Sequence, residues 1–143
     1  MPYEYLDEAA IADIAFEARE NTLNALFSTA AHALVNIMIE RLEKIERIKE
    51  VKVEIEHDSL EMLLFNYLQE FIYYKDAEQL LLLPSVINIE PGENRYYLRS
   101  TLSGEKIDYS RHEMLADVKA VTLHSFTLEK RETYWYAYVL LDI

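Results

Sequence analysis

The spacing of apolar residues changes period along this chain, and each change marks where a helix gives way to a strand. Leu23, Leu26, Phe27, Ala30, Leu34, Ile37 and Met38 recur at spacings of three and four, the buried stripe of one helix. Val51, Val53 and Ile55 then alternate with Lys52, Glu54 and Glu56, the period of a half-buried strand. The helical spacing returns at Leu60, Leu63, Leu64, Tyr67, Leu68, Phe71 and Ile72, and a second helix is predicted to end near Lys75-Asp76. After that the chain reads as strands over 80–83, 86–89, 96–102, 118–124, 126–130 and 134–141.

Local signals set the expected boundaries. Tyr3 and Tyr5 alternate with Glu4; after a short turn near Asp7-Glu8, Ile14, Phe16 and Ala18 alternate with Asp13, Ala15 and Glu17. Asn21 is the expected N-cap of the first helix, and Asp58 with Glu61 forms a capping-box-like start for the second. Pro84 separates two strands, while Pro91-Gly92 and Ser103-Gly104 mark turns. Alternating elements followed by a run of strands predict an α+β fold, with two helices packed on a largely antiparallel sheet in two layers. At 143 residues, the chain is expected to be a single domain, 1–143.

Composition excludes several function classes. There is no cysteine, so disulfides, thiolate metal sites and cysteine catalysis are out. The net charge of −12 repels phosphate backbones, and no basic stripe offers a nucleic-acid surface. A basic protein partner or a hard cation suits this charge, although acidity also serves solubility alone. No apolar run approaches the roughly 20 residues of a membrane span, and no signal peptide opens the chain, so a soluble cytoplasmic protein without membrane contact is expected. Gly-rich phosphate loops, Gly-x-Ser-x-Gly elbows and His-Glu-x-x-His pairs are all missing, and no catalytic residue is assigned.

Charged residues interrupt runs that otherwise read as buried strand. Asp13 lies between Ala9-Ala10-Ile11-Ala12 and Ile14-Ala15-Phe16, where an unpartnered carboxylate is costly. Asp142 follows Val139-Leu140-Leu141 and adjoins the carboxylate of Ile143. If the Asp13 strand lies beside the terminal strand, three carboxylates converge, an oxygen set suited to Ca²⁺ or Mg²⁺. The alternative is a frayed, solvated chain end. Lys119, between Val118 and Ala120-Val121, is read either as a strand-face salt bridge or as a cation held beside an acidic site. On local sequence, His112, flanked by Arg111 and Glu113, reads as a surface histidine. His124 reads as a core or edge histidine with a satisfied hydrogen bond. Each is also a candidate ligand or proton donor.

These residues, taken in order, carry a resemblance. Arg111-His112-Glu113, then Val118-Lys119-Ala120-Val121-Thr122-Leu123-His124, then terminal Leu141-Asp142-Ile143, resemble the archease family. So do the Ala12-Asp13-Ile14 strand and the helical run Leu63-Leu64-Phe65-Asn66-Tyr67-Leu68-Gln69-Glu70, so the likeness covers essentially the whole chain. The resemblance implies a small α/β protein cofactor, not itself an enzyme, that assists an RtcB-type RNA ligase in tRNA splicing and RNA repair. It implies promotion of ligase guanylylation and of multiple turnover, with nucleic acid met only through the ligase. It places a divalent-metal site, of the calcium or magnesium class, at Asp13, Asp142 and Ile143, and an important lysine at Lys119. One departure stands out: the family's His-Thr-Ala-Asp is Ala10-Ile11-Ala12-Asp13 here, and its glycine after Asp-Ile is Ala15. Two rival readings remain: a metal-dependent enzyme using the same carboxylates with His112 or His124, and a general chaperone or interaction module exposing some of Tyr134, Trp135, Tyr136 and Tyr138, residues that read first as core and strand-face packing.

Overall fold

The computed structural model describes residues 2–6 and 13–143. The turn expected near Asp7-Glu8 and the stretch Ala9-Ala10-Ile11-Ala12 lie outside the described residues. The elements in chain order are β1 (Tyr3–Leu6), β2 (Asp13–Glu20), α1 (Leu23–Met38), β3 (Lys49–His57), α2 (Leu60–Glu78), β4 (Leu80–Pro91), β5 (Tyr96–Lys106), β6 (Ala120–Lys130) and β7 (Trp135–Asp142), with a 3₁₀ turn at Leu42–Lys44. The α+β architecture matches the sequence expectation, with the strands divided between two antiparallel sheets. One has the order β1-β2-β7-β6, the other β3-β5-β4. Both helices pack on strands of both sheets. None of the described helices is long and apolar enough to cross a membrane.

The core forms where period and register agree. In the first sheet, Phe16 pairs with Val139 and Ala18 with Ala137, and all four are buried on the helix side. Tyr3 and Tyr5 of β1 lie over the same side, where their hydroxyls donate to Asn36 Oδ1 at 2.9 Å and to the Ala33 carbonyl at 2.8 Å. Ala30, Ala31 and Ala33 are fully buried, so α1 approaches its neighbours closely on more than one face. In the second sheet, Leu98 and Leu102 face α2, and Tyr67 reaches across to the Ser100 hydroxyl at 2.8 Å.

Several boundaries differ from expectation, each for a physical reason. The first helix is capped by Thr22 rather than Asn21, with Thr22 Oγ1 accepting from the Ala25 N–H at 3.2 Å. The second is capped by Ser59 rather than Asp58: Ser59 Oγ accepts from the Met62 N–H at 3.3 Å, while Asp58 lies 2.9 Å from His57. Glu61 completes no capping box, because its carboxylate accepts from the Leu128 N–H at 3.3 Å. Helix α2 runs past Lys75-Asp76 to Glu78 and stops where Gln79 turns left-handed at φ 55°.

The run 80–83 and 86–89 is one strand. Pro84 is accommodated because β4 is an edge strand, with a register shift between Pro84 and Val86. Likewise 118–124 and 126–130 fall largely in one strand, β6, whose register with β7 shifts between Thr122 and Thr127. Residues 123–126 thus bulge from the sheet edge, with Ser125 at φ 55°. On that edge, the Val121 N–H donates to Gln69 Oε1 at 3.2 Å. Pro91-Gly92 does mark a turn, closed by the Gly92 N–H to the Arg95 carbonyl at 2.7 Å. Ser103-Gly104 does not; both residues are buried inside β5. A Cβ on Gly104 would sit 1.7 Å from the Leu81 carbonyl oxygen, so glycine here serves close backbone approach.

Candidate functional site

Strand β2 lies antiparallel beside β7, and the register sets Asp13 directly opposite Asp142. Residues opposed in this way project from the same side of a sheet, with Cβ atoms roughly 5 Å apart. Their side is the one turned away from the helices, because Ile14 and Leu141, one step along each strand, face the core. Asp142 is held on its other flank too: it lies opposite Ala120 of β6, and its carbonyl accepts the Lys119 N–H at 2.8 Å. Ile143 packs against the core. Strand β2 thus does lie beside the terminal strand, with Asp13 opposite Asp142, and the chain end is packed rather than frayed.

Like charges directly opposite one another destabilise a sheet. The donor set is oxygen only, which suits a hard cation rather than zinc. Among the described residues no group of three His, Cys, Asp or Glu side chains gathers at one point, so a cation here would need the Ile143 carboxylate or solvent to complete its shell.

The other sequence candidates divide. Lys119 is exposed immediately before β6, beside the acidic pair, and forms no ion pair among the described residues; the strand-face salt bridge is absent. His124 is exposed in the β6 bulge, and its backbone N–H donates to Thr122 Oγ1 at 3.3 Å. Of the core-or-edge reading of His124, the edge alternative holds, since β6 is the outer strand of its sheet; the core alternative does not, because the bulge turns the residue outward, and the bond formed is from its backbone N–H rather than from the ring. His112 is not a surface histidine either. It is 2 % exposed, with Nε2 at 2.9 Å from Glu105 Oε2 and Nδ1 accepting the Asp108 N–H at 2.9 Å.

Two ionic clusters escape the sequence reading. Glu105, buried in β5, accepts from the Glu46 N–H at 2.8 Å, from Arg111 and from His112. Burial alone pushes its carboxyl up; the Glu46 amide, Arg111 and His112 outweigh that and hold it below its ordinary value. Lys75 is 6 % exposed and donates to Asp76 Oδ1 at 2.6 Å and Asp117 Oδ1 at 2.5 Å. Burial lowers its pKa, and hydrogen bonds to Asp117 and Asp76 reverse the shift, so the net direction is up. A signal for Lys75 exists in the sequence: Leu64, Leu68, Phe71 and Lys75 continue one stripe at helical spacing. Of the aromatic run at 134–138, Tyr136 is packed rather than displayed. Its hydroxyl donates to Glu17 at 2.8 Å, and Arg131 stacks 3.6 Å from the ring centre.

Fold and site together define a class: small α+β proteins with two antiparallel sheets, two shared helices and an acidic pair where the terminal strand meets β2. Residues 3–143 match the model of the Archease protein family (MTH1598/TM1083). The chain is 35% identical over 133 residues to protein archease of Pyrococcus furiosus, covering 92% of this chain and 93% of that one. It is 34% identical over 142 residues to protein archease of Methanosarcina mazei, covering 99% and 95%. The solution structure of Methanobacterium thermoautotrophicum protein 1598 superimposes with a TM-score of 0.85 at 29% identity, covering 99% of each chain. A crystal structure of a Thermotoga maritima archease, described as a possible chaperone, shares the fold with a TM-score of 0.62 at 18% identity, covering 98% of this chain and 99% of that one. The chain belongs to the archease family.

Proposed function

We propose that this protein activates an RtcB-type RNA ligase, promoting its guanylylation and its multiple turnover in tRNA splicing and RNA repair. The observation that carries the reading is the opposition of Asp13 and Asp142 on one side of the sheet, where two carboxylates gain nothing from each other. Such a pair is explained by something it binds. Asp13, Asp142 and the Ile143 carboxylate would hold a divalent cation, of the calcium or magnesium class, in an all-oxygen set. A bound cation there would offset the acidic charge and offer open positions to phosphate oxygens. Lys119 is joined to Asp142 through its backbone N–H, and its exposed ammonium, free of protein partners among the described residues, would be available to a phosphate of the ligase's nucleotide. The net charge of −12 suits docking onto a basic RNA enzyme.

The rival reading of a metal-dependent enzyme loses one of its acid–base groups, because His112 is committed on both ring nitrogens to Glu105 and the Asp108 amide. The test is ligase guanylylation with GTP, with and without this protein, comparing wild type with Asp13→Ala, Lys119→Ala and Asp142→Ala. Stimulation by wild type and its loss in the variants is expected. No stimulation of a cognate ligase by wild type would sink the reading, and normal stimulation by Asp142→Ala would sink the site.

A further inference from the structure

At the C-terminal end of α2, an open cleft of ≈ 450 Å³ lies between the last helical turn and the segment 107–117. Its walls are fixed by backbone bonds. The Ile107 N–H donates to the Gln79 carbonyl at 2.8 Å, and on the far side the Leu115 and Ala116 N–H groups donate to Met38 and Ile37 at 2.8 and 3.2 Å. The cleft is therefore formed in advance of any occupant.

Its chemistry is specific. The Lys75 ammonium forms the floor and holds Asp76 and Asp117 by one oxygen each. Both carboxylates remain exposed, at 57% and 74%, and the second oxygen of each has no protein partner among the described residues. The charged groups of the cleft therefore carry one net negative charge, with the carboxylates outermost. At the rim stand Tyr109, 74% exposed, and Leu115, 54% exposed. A rigid acidic pair beside two exposed apolar side chains complements a basic segment with an apolar anchor. It does not suit an anion, which would meet the carboxylates first. A second copy of this chain, itself at −12, is disfavoured by like charge.

We propose that this cleft docks a basic segment of the ligase, with an apolar side chain entering between Tyr109 and Leu115 and an arginine or lysine beside it pairing with Asp76 and Asp117. The inference rests on the ligase reading above. It is continuous with that site: Asp117 is two residues from Lys119, whose amide is bonded to Asp142, a span of roughly 7 Å in extended chain. One partner can therefore cover both, the cleft giving affinity and the acidic pair giving the effect on chemistry.

The experiment is calorimetric titration of the full chain into the cognate ligase, at two salt concentrations, with stimulation of guanylylation measured in parallel. Leu115→Glu and Tyr109→Ser alter exposed positions and are expected to weaken binding by about tenfold or more each. The double variant Asp76→Asn with Asp117→Asn is expected to weaken binding and to flatten its salt dependence. Asp142→Ala is expected to lose stimulation. Wild-type affinity in both Leu115→Glu and Tyr109→Ser would overturn the cleft and leave the ligase reading standing. No affinity of the wild-type chain for the ligase would overturn both. A shift from dimer to monomer on Leu115→Glu, with ligase affinity unchanged, would assign the cleft to a second copy and overturn the proposal.

Discussion

His112 Nε2 lies 2.9 Å from Glu105 Oε2, and because Nδ1 of the same ring accepts a backbone N–H, Nε2 must carry the proton and donate to the carboxylate. The ring thereby ties the 108–112 turn to β5. Arg111 adds a charged bond to the other oxygen of Glu105. Breaking a buried ionic network from one side leaves the remaining partners uncompensated, so Glu105→Ala is expected to lower stability by about 3 kcal/mol at neutral pH, measured by urea unfolding.

The same carboxyl sets an acid limit. Its folded pKa lies below the ordinary 4.5, so its contribution is fully present above that value and is lost as pH falls through the folded one. Glu17 acts in the same sense, held down first by the Tyr136 hydroxyl and then by Arg19. Unfolding free energy followed from pH 7 downward should fall more steeply below about pH 4.5 in wild type than in Glu105→Gln, which has no carboxyl to titrate there. Parallel curves would remove Glu105 from the account.

Asp13→Asn removes one charge from the opposed pair. Without divalent cations it is expected to raise stability by roughly 0.5 kcal/mol, the scale of a like-charge cross-strand pair. Addition of Ca²⁺ or Mg²⁺ should raise the melting temperature of wild type and leave this variant unmoved. An equal rise in both places the cation elsewhere.

Lys75 separates two kinds of buried charge loss. Asp117→Ala leaves the ammonium with only Asp76 and is expected to destabilise by about 1–2 kcal/mol. Lys75→Met fills a similar volume without charge and is expected to be near neutral or stabilising. Chemical denaturation of both variants checks the ordering, and a larger loss in Lys75→Met than in Asp117→Ala would reverse it.

Gly104→Ala tests the close approach of β5 to β4. The clash is with backbone, which cannot rotate away, so a loss of about 3 kcal/mol or more is expected in thermal or urea unfolding.

The helices and most strands were legible because period-two and helical spacing survive in the residues that face the core: Phe16 and Ala18, Leu64 and Phe71. Asp13 and Asp142 each stood out locally as charge in an apolar run, but their opposition depends on β2 pairing with β7, a contact between the two ends of the chain. His112 reads as exposed from local sequence because its partner Glu105 lies in a stretch where Ser103-Gly104 imitates a turn. Nothing within a few residues of His112 announces that Glu105 points inward.

Strand β6 is the outer strand of its sheet, yet α2 reaches over to occupy two of its outward amides, Gln69 taking Val121 and Glu61 taking Leu128, with the 123–126 bulge between them. A neighbouring molecule adding itself as a fifth strand would have to expel both side chains and flatten the bulge before gaining a single ladder bond. The sheet thus ends where the helix closes it, and crowding many copies together does not zip them into fibrils along this border.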